Sequence, residues 1–405
     1  MHERYEMRSK VGDYKETLTE STMRLKTITS VGALWLMYLL GSCQVEKGES
    51  AKILSIAFML TKSMKITYEP LLRELAKKGH EVTIIGPYPG KDEKNFKNIP
   101  TTDIEELFKK VPNMFDLKLM MPTWLGAIFN PFLLMGDQLT HVCNEGYKHP
   151  QIQQVLKEKW DLVLFVPFFN DCLYGLIHKL NTTSIIYAST TVGPWISDNM
   201  GTPSPPSFVS SLLIGYDERM NFGQRLFNFV RMLFDWAIMN LYYFPKMETI
   251  YRNALGDPTL PSVSEIEKNA SIVLINSQIS FNPPRPLMPD IIEVGGMHLL
   301  PAKPVPKELD AFLNGSKDGF ILFSMGSALK GSMMPENYRK MFLNVFSKLK
   351  QRVLWKWETE KMDDLPPNVK LTAEKGFALP PLEFSTLTEE ILYDAINTAV
   401  YDPRY

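Results

Sequence analysis

Two stretches of this chain repeat one local pattern, and that pattern fixes the kind of sheet they can form. Ile53 to Leu60 is an apolar run of strand length, Ile66 to Lys78 has helical spacing and ends at Gly79, and Glu81 to Ile85 is apolar again. Strand, helix and strand in this order make a β-α-β unit, with parallel strands and a right-handed crossover. Asp161 to Val166 and Ser184 to Ala188 repeat the pattern around a helix predicted over Asn170 to Leu180. An α/β fold with a parallel sheet follows. Phe132 to Lys148 and Gln151 to Lys159 read as helices split at Pro150. Phe222 to Tyr243 reads as an aromatic-rich helix that stops before Pro245, with the aromatic stripe packed in the core.

A second unit of the same kind begins at Gly319, with a strand over Phe320 to Met325, a turn at Gly326 and Ser327, a helix over Pro335 to Lys350 and a strand over Arg352 to Trp357. The 405 residues, 45% apolar and 22% charged, suffice for two domains with sizeable cores. A net charge of −1 with no basic block argues against nucleic acid as a partner. Cys43, Cys143 and Cys172 show no metal-ligand spacing, so no metal site is expected and at most one disulfide remains if Cys43 is removed.

Such removal is expected from the N-terminus. Arg24 and Lys26 precede an uncharged stretch from Thr27 to Val45 that ends in small residues, the layout of a signal peptide over residues 23–43. A membrane anchor is the rival reading of that stretch. Residues 1–22 read as a polar extension, and sequons at Asn181, Asn269 and Asn314 fit a lumenal glycoprotein.

The seam between the two units carries a more specific signal. It reads NASIVLINSQ from Asn269, continues through a Pro-dense segment over residues 283–306, and ends in DGFILFSMGS at Ser327. This run resembles the interdomain region of the insect UDP-glycosyltransferases. The likeness covers Lys52 to Leu371, with a tail resuming at Thr372. It implies the GT-B architecture, two Rossmann-like domains facing a cleft. Residues 44–282 would form the acceptor-binding domain and residues 307–405 an incomplete nucleotide-sugar domain. It also implies inverting transfer of a hexose from a UDP-sugar to a small lipophilic hydroxyl compound, with no further cofactor, and it places the Phe222 to Tyr243 stripe near the acceptor pocket and the membrane surface, the rival to core packing.

That chemistry needs a histidine base, which the family places in a Ser-His step after the first strand; here the step is Ser63-Met64, and a thioether cannot take the proton. The carboxylate that orients the base corresponds to Val166. Asp171 is a substitute acid or a helix cap, and His80 is a structural or solvent-facing histidine. Ser324, Gly326 and Ser327 match the donor-phosphate turn, where backbone N–H groups at a helix start favour an anion. The donor signature (a Trp-Pro-Gln step, a His-Gly-Gly turn and an Asp-Gln pair) does not occur, as though excised between Leu371 and Thr372. The family's C-terminal membrane anchor is likewise not found by Tyr405.

Three readings compete: the family activity in the endoplasmic reticulum lumen, strongly impaired in this chain; a non-catalytic protein that binds lipophiles or pairs with itself or intact relatives; or a splice or gene-model product.

Overall fold

In this computed structural model the described residues are 50–101, 104, 130–326, 331–372, 389, 390, 392, 393 and 396, less 89, 213, 281, 302, 303, 306, 360 and 361. The extension, the signal segment and Ser327 lie outside them, as does most of the chain after Thr372.

The chain from Ala51 forms one compact unit that holds two parallel sheets. The larger is built from β1 (Lys52–Ile56), α1 (Lys62–Lys77), β2 (Glu81–Gly86), β3 (Phe96–Pro100), α2 (Pro131–Lys148), α3 (Pro150–Val155), β4 (Leu162–Phe165), α4 (Tyr174–Leu180), β5 (Thr183–Ala188), α5 (Pro194–Asn199), α6 (Phe222–Ile238), α7 (Phe244–Leu255), α8 (Val263–Glu267), β6 (Ile272–Ile275) and β7 (Ile291–Glu293). Its seven strands lie in the order β3-β2-β1-β4-β5-β6-β7. Every pairing is parallel, as the repeated β-α-β pattern requires. The order reverses direction between β1 and β4. In open α/β sheets a ligand crevice forms at such a point, beyond the carboxyl ends of the strands.

Alternation along each strand sorts side chains to two faces. Leu54, Ile56, Val163 and Phe165 join the core under α2 and α7. Ile53, Val82, Ile84, Leu164 and Val166 join the core that includes Tyr68, Leu72 and Ala76 of α1. Cys143 of α2 and Cys172 form a disulfide, both buried. Ile291–Glu293, inside the Pro-dense 283–306 segment, pairs with β6 as the edge strand.

Two expectations need correction. The helix from Phe222 does not stop before Pro245: it passes through a π turn, Met239–Tyr243, directly into α7. Pro245 falls within the first turn of α7, directly after the π turn, one of the places where a helix accommodates a proline. Nor is the aromatic stripe simply core. Phe222 is 79% exposed, and Leu226, Phe229, Val230, Leu233 and Trp236 are exposed along the same side. The buried positions of α6 are Asn228, Arg231, Asp235 and Ile238. Arg231 pairs with Asp235 at 3.0 Å, Asp235 accepts from Ser211 and Asn130, and Asn228 binds the backbone of Val209 and Ser211. The helix therefore turns a satisfied polar face inward and an apolar face outward.

The smaller sheet has the order β10-β9-β8, from β8 (Phe320–Phe323), β9 (Arg352–Lys356) and β10 (Val369–Thr372). α9 (Lys307–Asn314) precedes it and α10 (Glu336–Ser347) links β8 to β9. Its core gathers Phe342, Phe346, Val353 and Trp355. β10 runs through Leu371 and Thr372 without a break.

Candidate functional site

The switch point between β1 and β4 is where the sequence placed its catalytic positions. After β1, Thr61 caps α1 by accepting from the backbone N–H of Met64 at 3.2 Å, so Met64 sits in the first helical turn. Its half-buried side chain packs against the apolar cluster that contains Val166, which is 1% exposed. Both dyad positions thus lie in one apolar cluster, and neither side chain accepts or gives up a proton.

Asn170, which the sequence analysis did not single out as a site residue, holds the crevice together. Its Oδ1 accepts from the N–H groups of Phe58 and Met59, each at 2.8 Å, and its Nδ2 donates to the carbonyls of Met59, Val166 and Phe168. The loop beyond β1 and the loop beyond β4 are tied by this one buried amide. Phe169 beside it has φ of 61°, a left-handed conformation that is strained for a bulky residue. A hydrogen-bond frame as dense as that of Asn170 offsets such strain.

Asp171 opens the 3₁₀ turn Asp171–Leu173, next to the disulfide at Cys172. Its carboxyl accepts from Tyr243 Oη at 2.7 Å, and no side-chain cap bond is made at this turn. Tyr243 comes from the π turn. Burial raises the Asp171 carboxyl to about 8 against the O–H of Tyr243, and nearby Glu267 adds to the rise. Glu267 is raised to about 7 by burial, opposed by bonds from Tyr174 at 2.5 Å and Asn199 at 2.6 Å. A protonated Asp171 is a poor base at neutral pH but a competent hydrogen-bond donor.

Asp171 lines a cavity of about 40 Å³ walled by Phe132, Phe168, Trp195, Ile196 and Leu212. Trp195 also lines a groove of about 200 Å³ shared with Phe229, Leu233 and Trp236 of α6. The apolar face of α6 and the cavity at the strand ends therefore meet at one tryptophan. Arg285 stands behind it, donating to Val192 O, Thr191, Ser197 and Ser204 and tying the Pro-dense segment to the loop beyond β5.

In the smaller sheet, Ser324 and Gly326 follow β8 as expected, and Gly326 adopts φ of 75°. The Gly326 N–H turns back to Ser324 Oγ at 3.3 Å. Lys356, at the end of β9, donates to the Gly326 carbonyl at 2.5 Å and to Glu358 at 3.2 Å. The role of Lys356 was not legible in the sequence, where it is only the cation that ends the strand RVLWK. His80 Nδ1 accepts from Ala51 N–H at 3.1 Å, a structural role at the opposite end of the sheet. Asn181, Asn269 and Asn314 are all exposed. Among the described residues no cluster of His, Cys, Asp and Glu suits a metal, and no helix is long and apolar enough to cross a membrane.

Comparison with known proteins adds to this geometry. Residues 51–374 match the family described as UDP-glucoronosyl and UDP-glucosyl transferase. The chain is 32% identical over 305 residues to UDP-glycosyltransferase UGT5 of Dactylopius coccus, covering 74% of this chain and 57% of that protein. It is 31% identical over 324 residues to UDP-glucuronosyltransferase 2A3 of Cavia porcellus, covering 76% of this chain and 60% of that one. It thus spans about three fifths of the length of these relatives. A solved glycosyltransferase of kitacinnamycin superposes with a TM-score of 0.51 at 13% identity, over 88% of this chain and 92% of that one. That likeness speaks for the fold alone, which is GT-B.

Proposed function

The chain belongs to the UDP-glucoronosyl and UDP-glucosyl transferase family, and from that premise we propose that it keeps an acceptor-binding half while transferring hexose from a UDP-sugar slowly or not at all. The observation that carries this reading is the shared apolar cluster of Met64 and Val166, the two positions where inverting transfer needs its base and its carboxylate. Losing general-base assistance costs about 10²–10⁴ in rate. The family match ends at residue 374, just past the Leu371–Thr372 junction, which supports the further reading that the donor signature is missing. Ser324 and Gly326, with Lys356 beside them, then offer only a few bonds to a diphosphate, and part of their energy offsets the immobilisation of UDP-sugar.

The test is calorimetric titration with UDP-glucose beside a turnover assay. Wild type, the double variant Met64→His with Val166→Asp, and a form carrying the signature block of an intact relative are compared. Turnover is expected only when the dyad and the block are both restored. Saturable donor binding and turnover by the wild type would overturn the reading.

A second reading concerns location. The exposed apolar face of α6, backed by a satisfied polar interior, supports association with a membrane surface, and the Cys143–Cys172 disulfide with three exposed sequons supports the lumen of the endoplasmic reticulum. Co-sedimentation with phosphatidylcholine vesicles, lost in Leu226→Gln with Leu233→Gln, tests the first. A mobility shift on endoglycosidase treatment tests the second.

A further inference from the structure

The mechanism that the dyad positions abandon leaves a buried acid at the cavity without a role. Asp171 is 2% exposed, its carboxyl accepts from Tyr243 Oη, and no lysine, arginine or histidine among the described residues forms an ion pair with it. Buried acids without a cation are retained where they make a hydrogen bond that nothing else supplies. Phe132, Phe168, Trp195, Ile196 and Leu212 give the cavity an apolar wall beside the polar Ser189, Thr190 and Thr191, and the space of about 40 Å³ has room for a hydroxyl and the first carbons bearing it. The wider groove across Trp195 leads toward the apolar face of α6 and suits the remainder of a lipophile.

We propose that Asp171 recognises the hydroxyl of the acceptor in this cavity and so sets a preference for phenols and alcohols over hydrocarbons of the same shape. The inference rests on the reading of the cavity as an acceptor site. Tyr243 donates to one carboxyl oxygen and fixes the rotamer. The proton that burial keeps on the acid at neutral pH is then available to the ligand oxygen. Asp171 is a specificity-determining residue in this scheme and takes no proton from the acceptor.

The full chain is titrated calorimetrically with phenol and with toluene, nearly one shape with O–H exchanged for CH₃. Wild type should bind phenol at least about tenfold more tightly, as sites built to bond a hydroxyl do. Asp171→Leu should bring the two within about threefold by weakening phenol and sparing toluene. Asp171→Asn, which keeps a donor and an acceptor, should retain most of the preference. Should the leucine variant not fold, infrared difference spectra of wild type decide the matter: phenol shifts a carboxylic C=O stretch that toluene leaves unmoved and Asp171→Asn lacks. Equal binding of the two ligands by wild type, or a preference unchanged in Asp171→Leu, or an unmoved stretch, overturns the role of Asp171 and leaves the acceptor site standing. Binding of neither ligand by wild type overturns the acceptor site and this inference together.

Discussion

Each sheet of this molecule is stapled by one asparagine, and the two asparagines hold different things. Asn170 binds N–H groups on one loop and carbonyls on two, joining the chain beyond β1 to the chain beyond β4 across the switch point. The Asn368 side-chain amide donates only to the carbonyls of Phe346, Leu349 and Gln351, at the C-terminal end of α10 and in the turn after it. The first fixes the shape of a cavity, while the second finishes a helix.

Alanine at the two positions gives the largest test of that contrast. Asn170→Ala leaves buried N–H and C=O groups of two loops unpaired and is expected to destabilise by about 3–4 kcal/mol. Asn368→Ala, half-buried and near solvent, should lose about 1–2 kcal/mol. Urea unfolding followed by circular dichroism measures both, and equal losses would break the comparison.

Next in size is the disulfide. Replacing Cys143 and Cys172 by serine should remove about 2–4 kcal/mol. The smaller sheet contains no cysteine, so the loss is confined to the larger one. Native-state hydrogen exchange should show protection falling in α2, α4 and β4 and unchanged in β8 to β10. Uniform loss across both sheets would show that the two unfold as one unit.

The third contrast is one of sign. Asp171 and Glu267 are raised, so the folded chain keeps protons that the unfolded chain releases above the ordinary carboxylate range. Their contribution is fully present at low pH and is lost as pH rises through about 7 to 8. In the smaller sheet Glu336 and Asp364 are lowered, each chiefly by its bond to Arg339, so their contribution is present at neutral pH and lost as pH falls below the ordinary carboxylate range. Across a pH series of urea midpoints, Asp171→Asn with Glu267→Gln should flatten the decline toward pH 8. Arg339→Gln should flatten the decline toward pH 3. Interchanged effects would contradict the assignment.

The smallest effect belongs to α6. Leu226→Gln on its outer face should change stability by no more than about 0.5 kcal/mol, as measured by thermal unfolding, because that side chain already faces solvent. A larger loss would place Leu226 in a packed interface.

Much of the fold was legible because β-branched runs alternating with helical segments leave few topologies open. Lys52–Ile56, Glu81–Gly86, Leu162–Phe165 and Thr183–Ala188 sit within a few residues of their predicted places. Phe96–Pro100 was not legible, since FKNIP has strand length but no alternation, and its pairing with β2 comes from tertiary context. Of the two readings of the α6 stripe, core packing failed because periodicity identifies an apolar face without saying which way it points. The signal was present in Asn228, Arg231 and Asp235, polar residues spaced to share one side. At the site, Met64, Val166 and Asp171 were found through the resemblance. Asn170, Tyr243 and Lys356 were missed, because partners distant in sequence give such residues their roles.

The π turn at Met239–Tyr243 has a bearing on which face α6 turns inward. A π turn is a helix with one residue too many, accommodated without a break. Loss of a single codon there would restore regular α geometry and turn everything N-terminal to it by about 100° relative to α7. Asn228, Arg231 and Asp235 would then swing away from Ser211 and Asn130, and part of the Phe222-to-Trp236 stripe would face inward. An inside-out helix and an ordinary core helix are thus one insertion apart, and the same insertion delivers Tyr243 to Asp171.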